Sequence, residues 1–221
     1  ALDRNASPLR SLARMEEALE VRSAAAEAAR TFAPGRRYWA IVGNGVNQIA
    51  AREIRVKLSE LCYKSIACDG TEDKKHIDLS CEPLIVACAA GLGGSTADDV
   101  AKEIAIFRAH KAAPIVIASE SDRSFPAALA VLTVPDTHQR LAFVLATIAG
   151  HLFGYEAALA IDAQARPLRE ARAAIDVAAA QIIHLIVDIE FQVCDLAVGD
   201  LAGREPCRHA FQRLAGHVDF Y

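Results

Sequence analysis

Three stretches of the chain carry side chains that could do chemistry. Glu53, Lys57 and Glu60 recur at spacings of four and three residues, which puts two carboxylates and an ammonium on one face of a helix. A carboxylate on such a face can shuttle protons. Equally, Glu53 four residues ahead of Lys57 is the favourable order for a surface ion pair, with Glu60 continuing the face. His76 closes the polar run Glu72-Asp73-Lys74-Lys75-His76. Its imidazole titrates near neutrality and can give or take a proton, and beside two lysines it also reads as a solvated loop residue. The third stretch is a pair of glycine turns, Gly43-Asn44-Gly45-Val46-Asn47 and Gly91-Leu92-Gly93-Gly94-Ser95-Thr96. The first lacks the third glycine of a dinucleotide fingerprint, and the second lacks the Gly-Lys-Ser/Thr of a P-loop. In the second, glycines admit close backbone approach, Ser95 and Thr96 offer hydroxyls, and a helix N-terminus adds positive potential. Together these make an anion cradle, or an ordinary strand-to-helix turn with a good cap.

The elements that position these residues alternate along the chain. Ser7-Pro8 opens a helix, with an apolar stripe of Leu9, Leu12, Met15 and Leu19, that runs to about Thr31, and Pro34-Gly35 stops the helix. Strands are expected at 38–42, 65–67, 84–90, 114–119 and 129–134, and a helix at 47–63. Ser95 or Thr96 is expected to cap the helix after the second glycine turn, with Asp98 and Asp99 in its first turn. Two long helices, 137–161 and 167–201, close the chain. Strands alternating with helices predict a doubly wound α/β fold, a parallel five-stranded sheet flanked by helices, with a long extra C-terminal helix. Such sheets bind ligands at the carboxyl ends of their strands, which is where both glycine turns fall.

Composition narrows the classes. Of 221 residues 53% are hydrophobic and 24% charged, which excludes disorder. A net charge of −4 gives no electrostatic footprint for nucleic acid. The six cysteines form no CxxC pair and sit largely in apolar runs, which fits free thiols in a reducing cytoplasm. The apolar run 177–187 is interrupted by Gln181 and His184 and followed by Asp188 and Glu190, so it is read as a core or interface helix and no membrane contact is expected. Cys207, His209 and His217 do not specify a metal, and His110, His138 and His151 lack complementary carboxylate spacing. No metal and no cofactor are expected. No repeat, low-complexity tract or heptad series is read in the sequence. A start at Ala1 within an amphipathic stretch is read as a fragment of a longer protein.

Read together, residues 38–172 resemble a sugar isomerase (SIS) domain, and more narrowly the C-terminal SIS domain of the glutamine–fructose-6-phosphate aminotransferase family. The resemblance rests on Glu53, Lys57 and Glu60-Leu61-Cys62-Tyr63, where the family has Glu, Lys and Glu-Ile-Ser-Tyr. It extends to Glu72-Asp73-Lys74-Lys75-His76, where the family has Glu-Leu-Lys-His-Gly-Pro, 13 residues from tyrosine to histidine. The resemblance implies ketose–aldose isomerisation of a hexose 6-phosphate. Glu60 would be the isomerisation base and His76 the ring-opening acid/base, with Glu53 and Lys57 supporting them. Gly43, Asn44, Gly45, Lys75, Ser95, Thr96 and Arg172 would line the substrate. The second glycine turn is similar to the family's Ser-x-Ser-Gly-x-Thr-x-Asp phosphate loop, with Gly91 and Gly93 at the serine positions and Thr96 and Asp98 retained. Arg172 stands where the family has the lysine that engages the sugar carbonyl as a Schiff base, and a guanidinium does not form that imine under ordinary conditions.

The expected organisation is an N-terminal helical linker over 1–36, an SIS domain over 37–165 and a C-terminal helical extension over 166–221. Two functions remain open: an isomerase-type domain of a protein similar to glucosamine-6-phosphate synthase, or a non-catalytic module that senses a phosphosugar or serves dimerisation. A homodimer is expected, because the C-terminal helix carries more apolar surface than one small sheet covers. An unrelated doubly wound phosphate binder is a third reading.

Overall fold

The computed structural model describes residues 14–74, 79–122 and 125–197. Contacts divide the chain into two compact units, Ala1–Arg166 and Pro167–Tyr221.

The first unit is built on five parallel strands: β1 (Trp39–Gly43), β2 (Ala67–Asp69), β3 (Leu84–Cys88), β4 (Ala113–Ser119) and β5 (Ala130–Val134). They lie in the order β2-β1-β3-β4-β5. In register, Ile41 stands beside Cys68 on one side and Val86 on the other, and Val86 in turn beside Ile115. β1, β3 and β4 are buried at every residue, as central strands covered on both faces must be. Their alternate side chains feed two cores. Ile41, Val86, Ile115 and Ile117 point toward a layer formed by α1 (Arg22–Phe32), α2 (Asn47–Cys62) and the first turns of α5 (Ala142–Ala197). Val42, Ile85, Ala87 and Val116 point to the opposite layer, where α4 (Gly94–Ala109) supplies Val100, Ile104 and Phe107. A short turn of helix, α3 (Thr71–Lys74), follows β2.

Several boundaries differ from the expectation. β2 begins at Ala67, because α2 ends at Cys62 with Tyr63 in the left-handed conformation (φ 50°), and the next residues cross back to the sheet. The closing segment is one helix, α5, with Pro167 inside it. Proline withdraws the amide that would bond the Ala163 carbonyl; Ala163 is exposed, so water can take that acceptor, and 162–166 carry no helix breaker. Residues 7–13 of the expected first helix lie outside the described residues.

In the second unit, α5 residues Leu168, Ile175, Ile182 and Ile189 recur every seventh position. This series, which the sequence reading did not find, emerges because the stretch is continuous helix, which sets every seventh residue close to one line along its surface. All four are at least half exposed.

Candidate functional site

Strand order reverses between β1 and β3, so the connections leaving their carboxyl ends diverge to opposite faces and open a crevice there. Both glycine turns fall on that crevice. At Gly43 a Cβ would stand 2.6 Å from the Asn47 carbonyl oxygen, so only glycine lets β1 run directly beneath the start of α2. Gly45 has φ +56°. Asn44 is held rather than open to a ligand: its Nδ2 donates to Thr71 Oγ1 (2.7 Å) and its Oδ1 accepts from the Thr71 amide (3.2 Å). Those bonds tie the β1 turn to α3.

Asn47, fully buried, joins the two turns. Its Nδ2 donates to the Ala90 carbonyl at 2.9 Å. That bond fixes the amide's orientation, and Oδ1 is left buried with no hydrogen-bond partner among the described residues. Ser119, buried at the end of β4, accepts from the Gly91 amide at 2.9 Å and pins the second turn from the other side.

In the second turn Gly91 has φ +69°, and a Cβ there would meet the Ala142 Cβ at 2.6 Å. A side chain at that position is excluded by the backbone and by the first residue of α5. Gly93 is different: its backbone is extended, and a Cβ would meet nothing within 4 Å. α4 starts at Gly94 (φ +57°) with no side chain capping it. Ser95 and Thr96 are therefore not caps; they sit exposed in the first turn, and Asp98 and Asp99 fall beyond it, Asp99 pairing with Lys102 at 3.1 Å. The uncapped first turn leaves backbone N–H groups facing the crevice with the positive end of a 16-residue helix behind them. Lys74 is buried in α3, which packs on β1 and α4, and makes no ion pair among the described residues.

The acid–base face lies elsewhere. Lys57 Nζ bonds Glu60 Oε2 at 2.8 Å, and this bond with the neighbouring carboxylate raises the lysine's pKa from its ordinary value. Glu53 does not pair with Lys57; its Oε1 lies 3.5 Å from His151 Nε2 on α5, a contact that becomes an ion pair when the imidazole is protonated. The two helices come this close because Gly150 and Gly154 of α5 pack directly on Ile54 and Leu58 of α2. All three candidate side chains, Glu53, Lys57 and Glu60, remain substantially exposed. From Asn47 to Glu60 the helix rises about 20 Å at ~1.5 Å per residue, so one copy of this chain does not bring Glu60 to the glycine turns.

Lys75 and His76 lie outside the described residues. Arg172 belongs to the second unit, exposed and 3.7 Å from Asp176. Among the described residues no cluster could hold a metal ion. Cys62 is pushed up to about 11 by burial, and burial drives the Cys88 thiol higher still, so neither is a ready nucleophile. Asn47 and Lys74 were not among the sequence candidates, although Asn47 had a signal as the second asparagine of Gly-Asn-Gly-Val-Asn. Ser119 falls in 117–122, a strand end that reads in sequence as cleft lining or, more readily, as a capped turn.

No protein-family model matches the chain, and no curated protein does. Solved structures do. The C-terminal domain of glucosamine-fructose-6-phosphate aminotransferase from Francisella tularensis matches 67% of this chain and 42% of its own length at 21% identity, with a TM-score of 0.59. The tagatose-6-phosphate ketose/aldose isomerase from Escherichia coli matches 69% of this chain and 44% of its own at 22% identity, TM-score 0.55. The sugar isomerase domain of an RpiR transcription factor from Sphaerobacter thermophilus matches 76% of this chain and 98% of its own at 15% identity, TM-score 0.55. This chain thus spans less than half of the first two. The likeness is one of fold: the parallel five-stranded sheet and its flanking helices are of the sugar isomerase (SIS) type.

Proposed function

We propose that this chain is the phosphosugar-binding, isomerase-type domain of a protein similar to glucosamine-6-phosphate synthase. Residues 37–165 would be the sugar-binding module, 1–36 a helical linker and 166–221 a helical extension. The observation that carries the reading is the crevice at the β1/β3 reversal, where Asn47 and Ser119 hold two glycine turns beside an uncapped helix N-terminus. A phosphate dianion there would accept from the amides of Gly94 to Thr96 and from the Thr96 hydroxyl, with Lys74 and Lys75 supplying positive charge.

Isomerisation needs a second set of groups. His76 would move the ring-hydroxyl proton to open the sugar. Glu60 would take a proton from carbon 1 of the open ketose and return one to carbon 2, while the carbon-1 hydroxyl gives up its proton and the carbon-2 oxygen gains one, so that the carbonyl moves and no redox partner is consumed. Lys57, bonded to Glu60, would orient its carboxyl group. The ~20 Å rise between Asn47 and Glu60 means that the glycine turns completing this site would come from another SIS domain or a second copy. Arg172 offers a guanidinium for substrate oxygens but no imine, and transfer of glutamine-derived ammonia would depend on further domains. The reading carries with it amino-sugar biosynthesis, a homodimer and a cytoplasmic location; the free thiols of Cys62, Cys68 and Cys88 support the last.

A second reading, a non-catalytic module that senses a phosphosugar or serves dimerisation, is favoured by one observation: Arg172, at the family's lysine position, is paired with Asp176 on an exposed helix. The test is calorimetric titration with fructose 6-phosphate, glucose 6-phosphate and glucosamine 6-phosphate, followed by an isomerase assay. Saturable binding that Gly93→Asp abolishes, because a carboxylate then occupies the open space before α4, supports the crevice. Turnover lost in Glu60→Gln but with binding kept supports the enzyme; binding without turnover supports the sensor. A folded chain that binds none of the three sugars at millimolar concentration overturns both.

A further inference from the structure

The helical segment of the second unit leaves an apolar seam exposed along its length. Leu168, Ile175, Ile182 and Ile189 occupy one position of a seven-residue repeat, and Ala171, Ala178 and Leu185 the position three further on. This is the a/d pattern of a coiled coil over three heptads, with a period of 3.5 that a facing helix satisfies and a lipid surface does not require. The seam is flanked by Ile186, so six large aliphatic side chains stand between 50% and 75% exposed. They offer on the order of 400 Å² of aliphatic surface at ~25 cal/mol per Å² and ~2.5 kcal/mol per fully buried side chain. That is about half of the ~800 Å² per partner of a standard interface, before the seam alanines and the stems of flanking residues are added.

We propose that this seam pairs with the same seam of a second copy, antiparallel, about a two-fold axis at Ala180. Two features select that partner and that direction. In an antiparallel pair each a position meets a d position, which sets Ala171 against Ile189, Ile175 against Leu185 and Ala178 against Ile182. Small then meets large at two layers, with Ile175–Leu185 the one layer of two large side chains; a parallel pair stacks alanine on alanine at 171 and 178 and leaves gaps. Charge agrees. Arg166, Arg169 and Arg172 outnumber Glu170 and Asp176 at one end of the seam and Asp188 and Glu190 stand at the other, so the antiparallel arrangement brings the acidic end beside the net basic end of the second copy. A parallel arrangement sets like charges together. The pairing does not depend on the sugar ligand, and a chain that binds no phosphosugar can still form it.

Other occupants are conceivable on composition alone. α5 holds a window long and apolar enough to cross a membrane, with 39% of that window buried inside the protein. The experiment separates them. Light scattering of the full chain at micromolar concentration is expected to return twice the 23.7 kDa chain mass. Ile182→Glu is expected to raise the dissociation constant at least a hundredfold and return a monomer, with helicity unchanged because the side chain is already exposed. In a background with Cys194 and Cys207 replaced by serine, Ile175→Cys with Leu185→Cys is expected to form a disulfide-linked dimer on mild oxidation, and Ile175→Cys alone is not. A wild-type monomer, a dimer indifferent to Ile182→Glu, or partition of the chain into liposomes overturns the pairing. A crosslink through Ile175→Cys alone overturns its direction.

Discussion

Replacing Asn47 with aspartate tests the strap between the two glycine turns without changing its shape. The wild-type amide is fully buried and donates to the Ala90 carbonyl at 2.9 Å. An ionised carboxylate in its place cannot donate, faces that carbonyl with like charge, and gives up hydration that nothing nearby restores. The native state therefore favours the protonated acid, which can donate in the amide's stead, and the carboxyl's folded pKa rises above its unfolded value of ~3.9. The sign follows. A group whose folded pKa is raised contributes its stability in full below the unfolded pKa and loses it as pH rises toward the folded one. If the folded value reaches about 7, the variant loses about 3 kcal/mol relative to wild type between pH 4 and pH 7, at ~1.4 kcal/mol per unit. That is a large fraction of a typical domain's stability. Urea denaturation of both proteins at half-unit pH intervals reads the difference directly. Near-equality at pH 4 and a widening gap toward pH 7 are expected; a gap that stays flat across that window refutes the buried strap.

Three further outcomes follow from the same geometry. Gly154→Val drives a branched side chain into Leu58 where α5 packs on α2, so stability falls by about 2 kcal/mol and Leu58→Ala restores part of it in a double-mutant cycle by urea melts. Gly91→Ser, at φ +69° and against Ala142, costs upwards of ~2 kcal/mol, while Gly93→Ser, extended and facing open space, stays within about 0.5 kcal/mol and tightens hexose 6-phosphate binding by adding a hydroxyl at the cradle; denaturation and calorimetry check the pair. Burial holds Cys62 near 11 against an ordinary value near 9, so the protonated thiol stabilises the fold below pH 9 and that contribution fades between 9 and 11; Tm should fall less steeply across that window in Cys62→Ala than in wild type.

Much of this fold was legible because its signals are local. The apolar runs at β1, β3 and β4 are central strands, and each of the first two ends in glycines that announce a turn. The site was legible only in part, because its geometry depends on contacts between distant residues. Asn47 reaches a carbonyl 43 residues away, and nothing in Gly-Asn-Gly-Val-Asn says which asparagine is buried. Gly91 reads as a lost serine, and only its left-handed backbone and the placement of Ala142 explain why it must be glycine. Glu53 before Lys57 follows the helical ion-pair rule, yet Gly150 and Gly154 bring His151 within reach of Glu53, and Lys57 turns to Glu60. Pro167 marks a boundary by rule and lies within a helix, since the carbonyl it strands is exposed. Each miss comes from tertiary contact or solvent access overriding a rule of sequence spacing.

The crevice at the β1/β3 reversal is tested most directly by following backbone amides in ¹H–¹⁵N spectra while fructose 6-phosphate is added. The account predicts saturable shifts at Gly93, Gly94, Ser95 and Thr96, with the Asn47 side-chain amide moving in parallel and all of them lost in Gly93→Asp. Shifts confined to residues outside the two glycine turns, or none as the sugar reaches millimolar concentration, would contradict it.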